Sequence, residues 1–269
     1  MHPSLRYTLY MNAFSTKNSK NPHPTHGIWV AGTILISYLL SASVGVLAIH
    51  PLTALNATLP YGDFLWAVLT LWLCTGLFIS AHDAMHGLVA PTNPKLNAMI
   101  GQLCLGLYAG LSYKRLLAGH IRHHAHPSTD EDPDYWPNRL GPVGWYIRFM
   151  LQYLTPLPII IVAGTYHTLA HGVGIPPHRL FAMWIAPQVL SSVQLFYFGT
   201  YLPHRPGRPY EGEGLYKARS NSYPTWLSLI TCYHFGYHYA HHKGPWVPWW
   251  KLPTYHQQLL TVEHVEQSR

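Results

Sequence analysis

Charge is what this chain of 269 residues has least of. Asp, Glu, Lys and Arg make up 10% of it, against roughly a quarter in ordinary soluble domains. Acid is the scarcer sign, with ten Asp and Glu against seventeen Lys and Arg. An excess of +7 would point to nucleic acid if the basic residues formed a stripe. They are scattered, so a nucleic-acid partner is not expected and a membrane surface fits better. Cysteine is also sparse. The three thiols are far apart, and Cys74 and Cys104 lie inside apolar runs, which excludes a disulfide framework and a CxxC metal knuckle. The first 27 residues are polar and show no signal-peptide pattern. The zinc-hydrolase motif HExxH is missing as well.

What the chain does have is long apolar blocks and histidine. Four stretches lack Asp, Glu, Lys and Arg for about the length that a bilayer requires: 29–49, 64–81, 149–170 and 180–202. Prolines 156, 158 and 187 are tolerated in such spans where neighbouring helices satisfy the freed backbone. Four crossings put both termini, segment 82–148 and segment 203–269 on one side. Of the basic residues only Arg179 falls opposite, so the shared side is cytoplasmic by the positive-inside rule. Segment 96–113 also lacks charge, but a crossing there would separate His82 and His86 from His120 onward. Gly101, Gly106 and Gly110, with Asn97 and Gln102, predict a shallow or re-entrant helical pair instead.

Twenty histidines are present, and eight form three clusters on the cytoplasmic side. HDAMH holds His82 and His86; HIRHH holds His120, His123 and His124; HYAHH holds His238, His241 and His242. Offsets of three and four place the members of a cluster on one helix face. Eight imidazoles exceed the shell of one ion that also keeps an open position, so two metals are the economical reading. Imidazole alone does not choose among zinc, copper, iron and nickel. With no carboxylate base in an HExxH helix and far too many ligands for haem, an oxygen-activating redox metal is expected, with iron first.

Four of the ten carboxylates fall between residues 130 and 134, beside the HIRHH cluster. Ligand histidines commonly donate their second N–H to a carboxylate. Asp83, Asp132 and Asp134 are therefore the candidate outer partners. Asp130 and Glu131 divide between that role and a solvated loop, and His126 between outer partner and loop. His204, in YLPHR, and His234, one helical turn before His238, are candidate further ligands. Histidines 2, 23, 26, 256 and 264 belong to the tails, and 50, 167, 171 and 178 to the opposite side.

HDAMHG, HIRHHAHP followed by DPDYW, YLPHR, and CYHFGYHYAHHKGPWVPWWKLP together resemble the bacterial and cyanobacterial β-carotene ketolases of the membrane fatty-acid desaturase and hydroxylase superfamily. The likeness runs from about residue 28 to 255, leaving 1–27 and 256–269 as tails. The three boxes specify only the superfamily; HFGYH and PWWKLP point to the ketolases. Relatives commonly carry an acid where this chain has Ala240.

The resemblance implies an all-α integral membrane bundle of four transmembrane helices, with a cytoplasmic helical cap holding a non-haem di-iron site. It implies an enzyme using O2 and electrons from a donor such as ferredoxin to oxidise the C4 methylene of a β-ionone ring twice. The gem-diol then loses water, taking β-carotene through echinenone to canthaxanthin. Tyr135, Trp136, Trp246, Trp249 and Trp250 are expected to line the carotenoid slot or to form an interfacial belt, mostly the latter. The nearest rivals are a carotenoid 3-hydroxylase or a fatty-acyl desaturase with the same iron site. A metal transporter would carry its ligands inside the spans rather than at one end.

Overall fold

The computed structural model describes residues 25–47, 61–137 and 141–267. Expectations for the tail before residue 25, with its two histidines, for loop 48–60 with His50, and for Arg139 lie outside the described residues. The architecture is all-helical; among the described residues the only β pairing is an isolated bridge between Ser220 and Tyr237.

Helix α1 (His26–Leu47) is apolar all round, so its sequence does not reveal which face packs. Ala31, Ile34, Tyr38, Ser41 and Gly45, recurring every three or four residues, are buried against α2 (Tyr61–Met85). Trp29, Ile36, Leu40 and Val44 point outward and stay exposed. Water would penalise that apolar face, whereas lipid does not. In the contact, Ser41 Oγ and Thr70 Oγ1 lie 2.7 Å apart, and Trp66 Nε1 donates to Ser41 O at 2.8 Å. Such pairing satisfies polar groups where no water reaches.

Among the described residues, three helices are long and apolar enough to cross a membrane: His26–Leu47, Tyr61–Met85 and Pro177–His204. The expected span 149–170 is not one straight helix. It divides into α5 (Gly141–Tyr153) and α6 (Pro156–His167, continued as a π-helix over Thr168–Val173), bent by 87°. Pro156 opens the second helix, where its missing N–H and fixed φ end the first. The pair makes a fourth span only if counted together.

Segment 96–113 also differs from expectation. It holds one helix rather than two: α3 (Pro94–Ala109), capped by the Asn93 side chain on Leu96 N and closed by Gly110 at φ 68°. The chain then reverses into α4 (Tyr113–Ala125), so the helical pair is α3 with α4. The polar residues of α3 hold its turns. Asn97 donates to Ala84 O at 2.7 Å and accepts from Ala90 N at 3.1 Å. Gln102 donates to Leu111 O and accepts from Tyr113 N, both at 3.1 Å. The hairpin runs out from the end of α2 and back, returning HIRHH to HDAMH.

Helix α7 (Pro177–His204) contains two π-helical stretches, Phe181–Ile185 and Phe196–Tyr201. Each stands just before a proline, Pro187 and Pro203, whose ring would clash with a regular preceding turn. Beyond it, α8 (Thr225–Cys232) ends on Tyr233 at φ 49°, followed by His234 at φ 63°. α9 (His238–Lys243) carries the last histidine box. α10 (Leu252–Gln267) crosses the tail boundary expected at residue 255.

Candidate metal centre

Four elements deliver histidines to one place. His82 lies in the last turn of α2, and His86 follows in a turn closed by His86 N donating to Asp83 O. His120, His123 and His124 come from α4, His204 is the last residue of α7, and α9 supplies His238, His241 and His242.

These nine sort into two groups. Ring nitrogens of His82, His86, His120, His124 and His241 lie within 4.8 Å of one another, as do those of His123, His204, His238 and His242. The clusters therefore do not act as units. Neighbouring residues on a helix point about 100° apart, so each HH doublet is shared. His120 and His124 serve the first group while His123 serves the second; His238 and His242 serve the second while His241 serves the first. The groups abut, with the His124 and His242 rings stacked at 4.4 Å.

Within each group Nε2 atoms face one another: His86 and His120 at 2.7 Å, His124 and His241 at 3.0 Å. In the second group His242 stands 3.2 Å from both His123 and His238, which are 3.5 Å apart. Two nitrogens each about 2.1 Å from one ion are about 3.0 Å apart at a right angle and about 3.4 Å apart at a tetrahedral one. The Nε2 atoms of His82 and His204, one in each group, are buried and lack a hydrogen-bond partner. Burial, reinforced by neighbouring imidazoles, holds the pKa of His86, His120, His124, His238, His241 and His242 well below the usual value. Converging neutral imidazoles present lone pairs with too few donors among them, which suits a divalent cation in each group.

Outer contacts set the tautomers of three members of the second group. His123 Nδ1 lies 3.0 and 2.9 Å from the two oxygens of Asp132. Burial opposes charge on His123, but Asp132 outweighs it and raises the pKa. His242 Nδ1 donates to Leu215 O at 3.2 Å. His204 Nδ1 donates to Ser128 Oγ at 2.8 Å, because that hydroxyl spends its proton on Lys217 O. All three are left with an Nε2 lone pair facing inward.

The acidic residues divide. Asp132 is buried and also accepts from Ser128 N and Asp134 N, each at 2.9 Å. Asp83 Oδ1 stands 3.7 Å from His82 Nδ1, and its Oδ2 accepts from Trp249 N at 3.2 Å. Asp134 bonds no histidine; its oxygen accepts from Tyr153. Glu131 and Asp130 lie in the loop, where Glu131 O accepts from Arg122. His126 caps the C-terminus of α4.

His234 is in neither group. The left-handed turn at Tyr233 and His234 breaks the helical register that the expected ligand role assumed. Its ring lies beside Tyr237 and Trp249, at 6.0 and 6.1 Å. Ala240 is fully buried on the far side of α9, in a small cluster with Tyr237 and Leu252.

An apolar cavity of about 530 Å3 ends on His82, His120, His123 and His238, two from each group. From there it follows one face of α7 through Gly199, Leu195, Ser192, Gln188 and Ile185 to Phe181. None of Tyr135, Trp136, Trp246, Trp249 and Trp250, expected at the slot or, for most of them, in an interfacial belt, lines it. Its wall includes Phe78, Tyr108, Phe149, Tyr153 and Phe235 instead, and of these only Phe235 belongs to a motif singled out in the sequence. Phe235 reaches the cavity from HFGYH, its ring 4.6 Å from His82 and 5.0 Å from His238.

The chain belongs to the fatty acid desaturase family, whose profile matches residues 59–163 and 157–263. Within that family it is similar to the β-carotene ketolase of Paracoccus sp. (strain N81106 / MBIC 01143), 42% identical over 234 residues that cover 83% of this chain and 92% of that protein. The β-carotene ketolase of Paracoccus sp. (strain PC1) is 48% identical over 188 residues, covering 68% and 74%. A zeaxanthin 4-ketolase from Chlamydomonas reinhardtii is 39% identical over 189 residues, covering 69% of this chain and 42% of that protein. The resemblance read from the histidine boxes is borne out.

Proposed function

We propose that this chain is a β-carotene 4-ketolase, an integral membrane oxygenase converting the C4 methylene of a β-ionone ring to a ketone. The observation that carries the reading is the apolar cavity ending on histidines of both groups. Only a hydrocarbon-like substrate gains by filling such a slot, and only its inner tip meets the polar site.

Nine histidines are the metal ligands in this reading: His82, His86, His120, His124 and His241 for one iron, and His123, His204, His238 and His242 for the other. Two such irons would supply reductive activation of O2. Each insertion consumes one O2, two electrons and two protons, and releases one water. The first turns C4–H into an alcohol; the second gives a gem-diol that loses water to the ketone. Asp132 orients His123, and Asp83 acts beside His82. Phe78, Phe149 and Phe235 exclude water and hold the ring against the histidines. Electrons come from a soluble donor such as ferredoxin. The basic bias of the histidine-bearing side supports a cytoplasmic site, both termini on that side and four spans.

Expression in β-carotene-producing cells tests this. Ketone-bearing red pigment and about two irons per purified chain are the expected results. A 3-hydroxylated product, or unchanged carotene with altered lipids, would transfer the chain to the rival hydroxylase or desaturase reading. The slot gives a second test. A Cβ at Gly199 would collide with the Phe235 ring, whereas one at Gly106 meets nothing. Overpacking of this kind costs about 1–3 kcal/mol, so Gly199→Ala is expected to lower ketone output about tenfold. Gly106→Ala is expected to leave output as it was.

A further inference from the structure

Along the slot, the hydroxyls of Tyr108 and Ser192 are engaged with other hydroxyls or with backbone. Tyr108 donates to Ser191, Tyr146 pairs with Ser192, and Ser192 donates to Val189 O. One carboxyl group breaks the pattern, at the inner end. Asp134 lines the cavity, with a carboxylate oxygen within 4.8 Å of a His123 ring nitrogen. It is not needed to fix that ring, because Asp132 does so.

Asp134 Oδ1 accepts from the Tyr153 hydroxyl at 2.5 Å and from Gln152 Nε2 at 3.3 Å. Oδ2 accepts no hydrogen bond among the described residues. The residue is half-buried although it sits deep in the protein, since what it faces is the cavity. Tyr153 is held over Gly119, where a Cβ would strike its hydroxyl. A carboxyl facing an apolar slot is costly unless something polar meets it. Unmodified β-ionone offers nothing, but a ring that has gained a hydroxyl does.

We propose that Asp134, positioned by Tyr153, accepts a hydrogen bond from the alcohol first formed at C4, keeping that intermediate in the slot for its second oxidation. This rests on the ketolase reading and adds a specificity determinant to it. The hydrogen bond forms only after one oxygen is inserted, with the remaining C4–H still beside the histidines. It separates an enzyme that releases the alcohol from one that carries it on to the ketone.

Three measurements test it. In the unaltered enzyme the 4-hydroxylated carotenoid is expected to show a KM about tenfold below that of β-carotene, as a hydrogen bond to a charged group allows. Asp134→Leu and Tyr153→Phe are expected to raise the ratio of alcohol to ketone released by about tenfold. They are also expected to raise KM for the alcohol more than KM for β-carotene. Asp134→Asn, which keeps a polar contact, is expected to restore much of the partition. A parallel fall of both products, or an unchanged ratio, overturns the inference. If neither variant accumulates, equal KM values for the two substrates in the unaltered enzyme overturn it. An unaltered enzyme that makes no ketone from either substrate defeats the ketolase reading itself.

Discussion

Alanine at His123 or at His241 is expected to abolish ketone formation while the protein still inserts in the membrane. The two residues belong to different groups, His241 to the first and His123 to the second. Each is buried among other imidazoles, so no neighbouring side chain replaces the lost nitrogen. Both lie on short helices outside the long apolar ones, so insertion does not depend on them. Iron per purified chain is the second readout: about two in the parent and about one or fewer in either variant. His234→Ala is the internal control. Its ring is outside both groups, so iron content and ketone yield are expected to stay near those of the parent. Full activity in His123→Ala or His241→Ala would remove those residues from the metal shell.

Asp132→Ala is expected to cost about 10–100-fold in metal affinity or activity, the usual consequence of losing a ligand's outer partner. Asp132 sets the orientation of His123 through Nδ1 and shapes the loop by accepting from Ser128 N and Asp134 N. Asp132→Asn keeps one acceptor and is expected to fall between. Asp83→Ala is expected to cost less, because the 3.7 Å separation from His82 Nδ1 is too long for a hydrogen bond. Iron retention during dialysis against a chelator, alongside pigment yield, ranks the three variants. Equal losses for Asp132→Ala and Asp83→Ala would contradict the assignment of Asp132 as the main outer partner.

Much of the site was legible because helical spacing is a local property. Offsets of three and four brought out eight histidines, and His204 was recognisable from its place directly after an apolar span. His234 shows where local reasoning stops. Its distance from His238 suits a helix, but the backbone there adopts left-handed dihedrals that residue spacing does not announce. The bend within the span 149–170 was hidden for a related reason. Composition sees an unbroken apolar run, while Pro156 allows a helix to begin but not to continue through it. The slot walls could not be read as walls: Phe149 lies in an unmarked apolar run, and HFGYH signalled a family without placing Phe235, until α5, α7 and the turn before α9 converge.

The amino-acid order by itself determined that this protein is helical and membrane-directed, and that it gathers histidine and acid at one end. Apolar length, basic bias and the i, i+4 repeat are properties of neighbouring residues, so they survive without a fold. Only the tertiary structure decided how the histidines divide into two groups, since each HH doublet splits according to which helix stands opposite. It also decided which carboxylate turns to a histidine ring and which to the slot. Asp132 and Asp134 are two residues apart and chemically identical, and what separates them is that one faces His123 and the other faces Tyr153 and the cavity.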